Sequence, residues 1–374
     1  MNKPSLTNHE ADAVAQVLRS GWLGEGPKTA EFEAAIAEFT GAPHVIATNT
    51  GTSALHLAML ALGIGPGDEI ILPAFTFVSD PMAVTLCGAT PVFGDIDPDT
   101  LNLSADAVSG LITDRTRAIF PTDYAGLPSD LKPFKELIGD RNIRLIRDAS
   151  HSFGSLISGR PVGVFSGEDA TVFSFDPIKN ITCGEGGAAL VNSTDVAAKL
   201  RALKNLGFTP TDSSNSENNL FRKRREVTTK GFRCHMSDIN ASIGLAQFDR
   251  LPDIIKKKQA AAKRYDQLLE EIEYVSTFQR NYDEIVPFIY PVRITNGQRN
   301  KLADHFAERN IHAELRYSPC HREPFFTGPE SHLPITQRIA GEVICLPIYA
   351  DIAPQEIDQV ARELKNFLAQ TQLN

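Results

Sequence analysis

Short apolar runs alternate with helix-like segments along the first half of the chain. Runs of three or four apolar or β-branched residues are typical of buried strands. Two of the intervening segments, residues 53–62 and 105–112, have a helical pattern. Strands that alternate with helices predict a mostly parallel seven-stranded sheet flanked by helices, joined by right-handed crossovers. The candidate strands are residues 45–47, 69–72, 90–93, 118–120, 144–146, 172–174 and 189–191.

The second half begins with a long helical pattern that starts at Ser237. Apolar side chains recur at near-helical spacing up to Pro252, and another helical stretch covers residues 254–272. We therefore predict a large domain over residues 1–250 and a smaller α/β domain over residues 251–374. The N-terminal segment of the large domain is able to pack on the small one. The polar and then basic segment 209–225 predicts a mobile surface loop.

Composition and charge narrow the class of protein. A chain of 374 residues, 42% apolar and 22% charged, has the make-up of a soluble globular protein with a sizeable core. Its net charge of −9 argues against broad nucleic-acid binding. No apolar run approaches the roughly 20 residues of a membrane span, and the N-terminus has no apolar signal region. Five scattered cysteines without a CxxC pair predict reduced thiols, no metal site and a cytoplasmic location.

Lys179 is the residue that most suggests chemistry. It follows the apolar run 170–173 and precedes a glycine-rich turn and a second apolar run, residues 188–191. An ammonium group placed between two core strands is costly, because it loses its water. A lysine in such a pocket gives up its proton readily and can form a Schiff base with an aldehyde. The segment therefore predicts a pyridoxal phosphate enzyme.

Asp148 is the candidate partner of that lysine. It ends the predicted strand 144–146, on the edge of the sheet where ligands bind in parallel α/β folds. Pyridoxal chemistry needs a carboxylate against the ring nitrogen, so that the ring stays protonated and accepts electrons. A turn aspartate at the end of a strand is the alternative, and it stays open here. His151 could support the ring or the aspartate, although a lone histidine is more often simply packed.

A third candidate element is the start of the helix after the first strand. Residues 50–53 (Thr-Gly-Thr-Ser) precede an apolar helix, and N–H groups with hydroxyls at a helix N-terminus bind anions such as a phosphate. The alternative is an ordinary N-cap. Ser174 could add a hydroxyl, and Phe75 or Phe77 could cover a ring. These elements, Asp148 and Lys179 all fall on the same edge of the predicted sheet, which favours one common site.

Several segments together resemble the DegT/StrS family of nucleotide-sugar aminotransferases, which belong to fold type I of the pyridoxal phosphate enzymes and are similar in fold to aspartate aminotransferase. The resemblance covers essentially the whole chain. The Ile-Thr-Cys after Lys179 most resembles enzymes that aminate C4 of a UDP-linked 4-keto pentose in lipid A modification. The matching segments are residues 20–27, 49–55, 63–69, 73–78, 148–151, 174–187 and 236–244.

The resemblance implies roles for particular residues. Lys179 would hold pyridoxal 5′-phosphate as an internal aldimine, with pyridoxamine phosphate as an intermediate, and Asp148 would hold the ring nitrogen. The substrates would be L-glutamate and a nucleotide-linked keto sugar. The enzyme would be a homodimer with shared active sites, in which residues 231–236 reach into the partner's site. The other cofactor-binding positions would be Gly51, Thr52, Ser53, Phe77, His151 and Ser174.

The chain departs from the family pattern at two places. Arg233-Cys234-His235 stands where the family commonly has Asn-Tyr-Arg, so Arg233 could replace the asparagine at the partner's cofactor phosphate or face the substrate diphosphate. Asp176 stands where close relatives often have histidine, which would change the contacts with the sugar. His321 matches a histidine that the family places near the active site. Arg224, in the basic run 222–225, is a candidate for the diphosphate, although a solvated loop is the alternative.

The predicted function is the transfer of an amino group from glutamate to a sugar keto carbon, with C4 favoured, for deoxyamino sugars of surface polysaccharides such as lipopolysaccharide O-antigen. A C3 aminotransferase of the same family is the nearest alternative. A sister group dehydrates sugars and has histidine where Lys179 stands, so the lysine favours amino transfer. A pyridoxal-dependent lyase and a non-catalytic relative that binds the cofactor are the remaining alternatives.

Overall fold

A computed structural model describes residues 3–164, 166–210, 225–326 and 332–371. Its first half alternates helices and strands, as the sequence pattern predicts. The helices are α1 Asn8–Ser20, α2 Pro27–Thr40, α3 Gly51–Ala61, α4 Ser79–Leu86, α5 Ala105–Ser109, α6 Lys132–Ile138 and α7 Thr194–Lys204. The strands are β1 His44–Thr48, β2 Glu69–Pro73, β3 Thr90–Gly94, β4 Thr116–Ile119, β5 Arg144–Asp148, β6 Leu156–Ile157, β7 Arg160–Pro161, β8 Ala170–Ser174 and β9 Gly187–Val191.

The central sheet has seven strands in the order β1-β9-β8-β5-β4-β2-β3. The five strands from β8 to β3 run parallel to their neighbours. Strand β9 is antiparallel to both β8 and β1. All seven strands predicted from the sequence lie in this sheet, and the prediction of a mostly parallel seven-stranded sheet flanked by helices is confirmed.

Two buried ionic groups hold the loops at the carboxyl edge of the sheet. Arg147 is fully buried, and its Nη1 lies 3.0 Å from Asp123 Oδ1. Asp123 also accepts hydrogen bonds from the Ser129 N–H (2.8 Å) and the Ser152 hydroxyl (2.7 Å). Because side chains alternate along a strand, Arg147 and Asp148 project to opposite faces of β5. The ion pair thus ties the loops after β4 and β5 to the strand that carries Asp148.

The second half contributes a small sheet and long helices. Its strands β12, β13 and β14 form one antiparallel sheet, and β10 pairs with β11 in a separate hairpin. The elements are β10 Phe208–Pro210, β11 Arg225–Val227, α8 Asp238–Asp249, α9 Leu251–Leu269, β12 Val275–Thr277, β13 Tyr290–Ile294, α10 Arg299–Glu308, α11 Pro334–Glu342, β14 Val343–Leu346 and α12 Pro354–Thr371. Three single 3-10 turns cover Tyr124–Gly126, Cys320–Arg322 and Pro324–Phe326.

The predicted boundary between residues 250 and 251 falls where α8 passes into α9. Within the described ranges, one apolar cluster contains only residues from 261 to 368, whereas the clusters of the central sheet draw mostly on earlier residues. The N-terminal segment contacts α8, since Glu10 accepts hydrogen bonds from Gln247 (2.6 Å) and Arg250 (2.7 Å). It also reaches the second half, where the Lys3 ammonium lies 5.9 Å from the Tyr349 ring centre. The division into two domains stays a prediction. Among the described residues, no helix has the length and apolar character to cross a membrane.

Candidate active site

A cavity of about 450 Å³ opens at the carboxyl ends of β5 and β8. The start of α3, the segment between β8 and β9, and residues 314–317 of the second half enclose it. Parallel α/β sheets place ligands at this edge. The lining residues are Thr50, Gly51, Thr52, Leu55, Thr76, Phe77, Ser79, Asp148, Ser150, His151, Ser174, Asp176, Ile178, Lys179, Glu185, Glu314, Leu315, Arg316 and Tyr317.

Lys179 lies on the turn between β8 and β9, with its side chain in the cavity. Its backbone N–H donates to Asp176 O at 3.0 Å, which closes the turn. Its Nζ lies 4.2 Å from the centre of the fully buried Phe288 ring. Burial lowers the pKa of Lys179 to about 8, although the carboxylates of Asp148 and Asp176 oppose the shift. A far larger fraction of this amine than of an ordinary lysine is therefore an uncharged nucleophile near neutral pH.

Asp148 ends β5 and is almost completely buried. The Ser150 N–H donates to its Oδ1 at 2.9 Å. Burial raises the pKa of Asp148, while the hydrogen bonds from Ser150 and the charge of Lys179 favour the ionised form. A second buried carboxyl group, that of Asp80, lies close to Asp148, because the Thr122 hydroxyl donates to Asp80 Oδ2 at 2.9 Å and Thr122 itself forms a β-bridge with Asp148. Each of the two carboxyl groups shifts the pKa of the other. No pattern in the sequence indicates this pair.

The N-terminus of α3 forms a cradle for an anion. Gly51, Thr52 and Ser174 line the cavity there. A side chain at Gly51 would place its Cβ 2.7 Å from Ser174 Cβ, and one at Gly187 would come within 2.6 Å of the Gly51 nitrogen, so both glycines are required. Ser53 does not line the cavity; its hydroxyl accepts from Thr50 Oγ1 at 3.0 Å and its N–H donates to the same oxygen at 3.1 Å. Thr50 is thus the N-cap, and the N–H groups at this end favour a negative ligand.

His151 lies deep in the cavity. Its Nε2 is 3.0 Å from the Tyr317 hydroxyl, and its ring centre lies 4.2 Å from that of Phe288. Burial holds the pKa of His151 well below its usual range, and the nearby charge of Lys179 adds to the effect, so the ring is neutral. Its Nδ1 is buried and has no hydrogen-bond partner among the described residues. A buried polar atom without a partner is a place where a ligand is expected.

Phe77 and Asp176 also line the cavity, as predicted from the sequence. The Phe77 side chain is 51% exposed although it is large and apolar, and its ring centre lies 5.5 Å from that of Tyr317. An exposed aromatic side chain at the mouth of a cavity is suited to cover a flat ligand. Asp176 Oδ1 accepts from the Ile178 N–H at 3.1 Å, which fixes its carboxylate beside Lys179.

Two other predicted residues, His321 and Arg233, lie elsewhere. His321 does not line the cavity and instead packs beside Phe93, with the two ring centres 6.4 Å apart. Arg233 is exposed, its backbone forms a bridge with Asn205, and it does not line the cavity of its own chain. Arg224 lies outside the described residues, as does most of the loop predicted over residues 209–225.

Sequence reasoning missed Arg316 and its neighbours. Arg316 lines the cavity and is held by Glu314, whose Oε2 lies 2.8 Å from Nε and 2.6 Å from Nη2. Its guanidinium lies 5.6 Å from the centre of the Phe288 ring, which Lys179 also contacts. These residues come from the second half of the chain, so no spacing in the sequence links them to Lys179. The available signal was their position a few residues before His321, which matches a histidine of the family.

The lysine, the buried carboxyl group and the anion cradle at one sheet edge define an aminotransferase of fold type I. The model of the DegT/DnrJ/EryC1/StrS aminotransferase family matches residues 4–365. The chain therefore belongs to this family, and the predicted pyridoxal phosphate-dependent aminotransferase is confirmed. The anion cradle and the unpartnered His151 Nδ1 support the fit of this cavity to pyridoxal phosphate.

Solved structures agree with this assignment. The aminotransferase TlmJ from Streptoalloteichus hindustanus is 34% identical, with a TM-score of 0.91, over 99% of this chain and 98% of that one. A putative sugar aminotransferase, Spr1654 from Streptococcus pneumoniae, in its PMP form, is 28% identical, with a TM-score of 0.91 and 98% of each chain covered. PseC from Helicobacter pylori, an aminotransferase involved in pseudoaminic acid biosynthesis, is 27% identical, with a TM-score of 0.90 and 98% of each chain covered.

Proposed function

We propose that the protein transfers the amino group of L-glutamate to a keto carbon, with C4 favoured, of a nucleotide-linked sugar, using pyridoxal 5′-phosphate. The observation that carries the proposal is the meeting of Lys179, Asp148 and the α3 N-terminus in one cavity. An amine, a carboxyl group and an anion cradle are the three groups that this cofactor requires. The named sugar aminotransferases with the same fold support a sugar as the acceptor.

The lining residues divide between the parts of the cofactor. The phosphate would lie at the N-terminus of α3. Gly51, Thr52 and Ser174 would bind it there through N–H groups and hydroxyls. Asp148 would pair with the ring nitrogen, and Phe77 and His151 would lie beside the ring. When bound, pyridoxal phosphate supplies an aldehyde that accepts an amino group and a ring that withdraws electrons. Ser53 would act indirectly, because it holds the Thr50 cap.

Lys179 would serve twice. Its Nζ would attach covalently to the cofactor in the resting enzyme, for which its lowered pKa of about 8 is suited. The same nitrogen would then hold and move the proton between the cofactor carbon and the substrate carbon in each half-reaction. A positioned acid–base group of this kind is typically worth ~10²–10⁴ in rate. Asp176, fixed beside it, would keep the ammonium form available for the return of the proton.

Arg316 supports an amino acid as the amino donor. A guanidinium binds carboxylates through a fork of N–H donors, and Arg316 is the arginine among the described lining residues. Glu314 uses its Nε and one Nη, which leaves the other nitrogen for a ligand. We assign the α-carboxylate of glutamate to this position. Arg316 belongs to the second half of the same chain, so this contact would not need the partner subunit.

The substrate sugar and the second subunit complete the proposal. Asp176 would contact the sugar, and Arg224 would meet the diphosphate. Arg233 is exposed and does not line the cavity of its own chain. This supports a homodimer in which residues 231–236 reach the partner's cofactor phosphate or substrate. His321, packed on Phe93, would support the cavity wall rather than touch the sugar. A cytoplasmic role in amino-sugar supply for surface polysaccharides is part of the same proposal.

The alternatives differ in testable ways. A C3 aminotransferase would use the same residues on a 3-keto sugar. A sugar dehydratase is disfavoured, because it has histidine where this chain has Lys179. A lyase acting on an amino acid would not pass the amino group of glutamate to a sugar, and a relative that only binds the cofactor would release no 2-oxoglutarate in repeated turnover.

The test is a panel of dTDP-, UDP- and GDP-linked 3-keto and 4-keto sugars, each mixed with L-glutamate and the purified holoenzyme. Release of 2-oxoglutarate with a 4-keto sugar is the expected result, and release only with a 3-keto sugar would assign C3. The Lys179→Ala variant should remain folded and lose turnover, as shown by circular dichroism and the same assay. No 2-oxoglutarate from any sugar, or a Lys179→Ala variant with a near-normal rate, would contradict the proposal.

A further inference from the structure

Asp80 is a buried carboxyl group that the assigned roles leave unused. It lies in the first turn of α4 and is 0% exposed. Thr122, whose hydroxyl donates to Asp80, forms a β-bridge with Asp148 and so brings the two carboxyl groups together, and the charge of Asp148 raises the pKa of Asp80. The N-terminus of α4 favours a negative charge, but that effect is smaller than the cost of burying a carboxylate without a cation. Asp80 therefore needs another way to avoid an isolated charge.

The hydrogen bonds around Asp80 divide its two oxygens. The hydroxyls of Thr76 and Thr122 both donate to Oδ2, at 2.5 and 2.9 Å. Oδ1 receives one long hydrogen bond, from Ser79 Oγ at 3.2 Å. This arrangement occupies Oδ2 as an acceptor and leaves Oδ1 as the atom that can carry a proton towards Asp148.

Two buried carboxyl groups in contact do not both ionise, because their charges repel in a medium of low polarity. Asp148 is the better site for the charge, since the Ser150 N–H donates to it and the Lys179 ammonium lies close. Among the described residues, Asp80 accepts side-chain hydrogen bonds only from hydroxyl groups, and Lys179 interacts with it more weakly than with Asp148. Burial, together with the charge of Asp148, raises the pKa of Asp80 well above its usual value. The shared proton therefore belongs on Asp80.

We propose that Asp80 is a positioning residue which, as a neutral acid, donates a hydrogen bond to the Asp148 carboxylate and so holds it ionised and aligned for the ring nitrogen of the cofactor. The proposal rests on the proposed role of Asp148. It explains why Asp148 can be deeply buried and still keep its charge. Asp148 then has three donors: the Ser150 N–H, the Asp80 hydroxyl and the protonated ring.

The other titratable groups that face Asp80 do not compete for this proton. Tyr317 and Cys320 come from the segment before α11. Burial raises the pKa of Tyr317 well above its usual value and that of Cys320 to about 12, so both are neutral at pH 7. His151 is neutral as well. The positive charge of Lys179 acts more strongly on Asp148 than on Asp80 and stabilises the Asp148 carboxylate.

The protonation state can be read by infrared spectroscopy of the holoenzyme at pH 7. The wild type should show the C=O stretching band of a neutral carboxylic acid, and the isosteric variant Asp80→Asn should lose it. Asp95→Asn is the matched control. Asp95 is also buried but accepts three hydrogen bonds at the start of α11, so its replacement should leave the acid band unchanged. A wild-type spectrum without a band that depends on Asp80 would overturn the proposal.

The positioning role is read from the half-reaction with L-glutamate, followed by the loss of the cofactor's visible absorbance at equal cofactor content. An asparagine at position 80 keeps both a donor for Asp148 and an acceptor for the threonines, so Asp80→Asn should stay within about threefold of the wild type. Asp80→Ala and Asp80→Ser cannot donate in the same way and should be slower by about tenfold to a hundredfold, the usual effect of an unpaired buried acceptor.

Two outcomes would refute the role. If Asp80→Asn is as slow as Asp80→Ala, Asp80 acts as a charge, and if Asp80→Ser and Asp80→Ala are as fast as the wild type, it has no role in positioning. A wild-type holoenzyme that does not react with glutamate would count against the proposed donor. The infrared result would still decide the state of Asp80, so the two failures are distinguishable.

Discussion

Lys179 should capture the aldehyde of pyridoxal phosphate much faster at neutral pH than an ordinary lysine does. Only the uncharged amine attacks an aldehyde, and the pKa of Lys179 is lowered from 10.5 to about 8. At pH 7 about one Lys179 in ten is uncharged, against about one in 3,000 for an ordinary lysine, a gain of roughly 300-fold. The rate should rise about tenfold per pH unit below pH 8 and level off above it.

Asp176→Asn tests the cause of this shift. The Asp176 carboxylate raises the pKa of Lys179 by attraction, so its removal should lower that pKa further and move the midpoint of the rate curve to lower pH. The asparagine oxygen can still accept the Ile178 N–H, which Asp176 binds at 3.1 Å, so the turn should be preserved. The perturbation is therefore one of charge, with the local fold kept.

The assay is stopped-flow mixing of apoenzyme with pyridoxal phosphate from pH 6 to about 11, read by the visible absorbance of the bound cofactor. Nα-acetyl-lysine is the control, because its amine has the ordinary pKa of about 10.4 and the free cofactor titrates in the same way in both samples. A rate that climbs without a break through pH 10, or a midpoint that moves upward in Asp176→Asn, would refute the environment described for Lys179.

Two further variants test the cradle and the donor site. Gly51→Ala should weaken cofactor binding by about tenfold or more in a spectroscopic titration. The added Cβ would lie 2.7 Å from Ser174 Cβ, and overpacking of this kind costs about 1–3 kcal/mol. An unchanged Kd would exclude this contact. Arg316→Gln should raise the KM for L-glutamate by about tenfold to a hundredfold, the usual loss with a charged hydrogen bond. The KM for the keto sugar should change little, and equal effects on both substrates would contradict the assignment of Arg316 to glutamate.

The sheet could be predicted because its strands are continuous apolar runs. Strand β2 is buried along its whole length, as expected of a parallel strand covered on both faces, and its sequence shows no competing pattern. The helix boundary near residue 250 was also visible. Pro252 does end the first helical pattern, but it lies in the first turn of α9, where its missing N–H leaves no hydrogen bond unmade.

Part of the cavity could not be predicted, since it depends on contacts between distant segments. Thr50, Gly51, Asp148 and Lys179 sit at strand ends, and the rule for parallel sheets brings them together. Arg316 and Tyr317 reach the cavity only through the packing of the second half against the first, as in the contact between the Tyr317 hydroxyl and His151, which no local pattern specifies. Asp80 looks like an ordinary acidic residue in the first turn of a helix, and only the structure shows its contact with Asp148.

The cavity has to keep two neighbouring groups in opposite states. Burial acts against charge on both Lys179 and Asp148, so by itself it would leave both neutral. The lysine needs burial to become an uncharged nucleophile. The aspartate has to stay ionised in spite of burial, so that it can pair with the protonated ring nitrogen of the cofactor. The difference lies in the neighbours: the Lys179 amine lies against the apolar Phe288 ring, while the Asp148 carboxylate accepts a hydrogen bond from Ser150 and, in the proposal above, a second one from Asp80. The chain thus sets the charge of each group through its immediate neighbours.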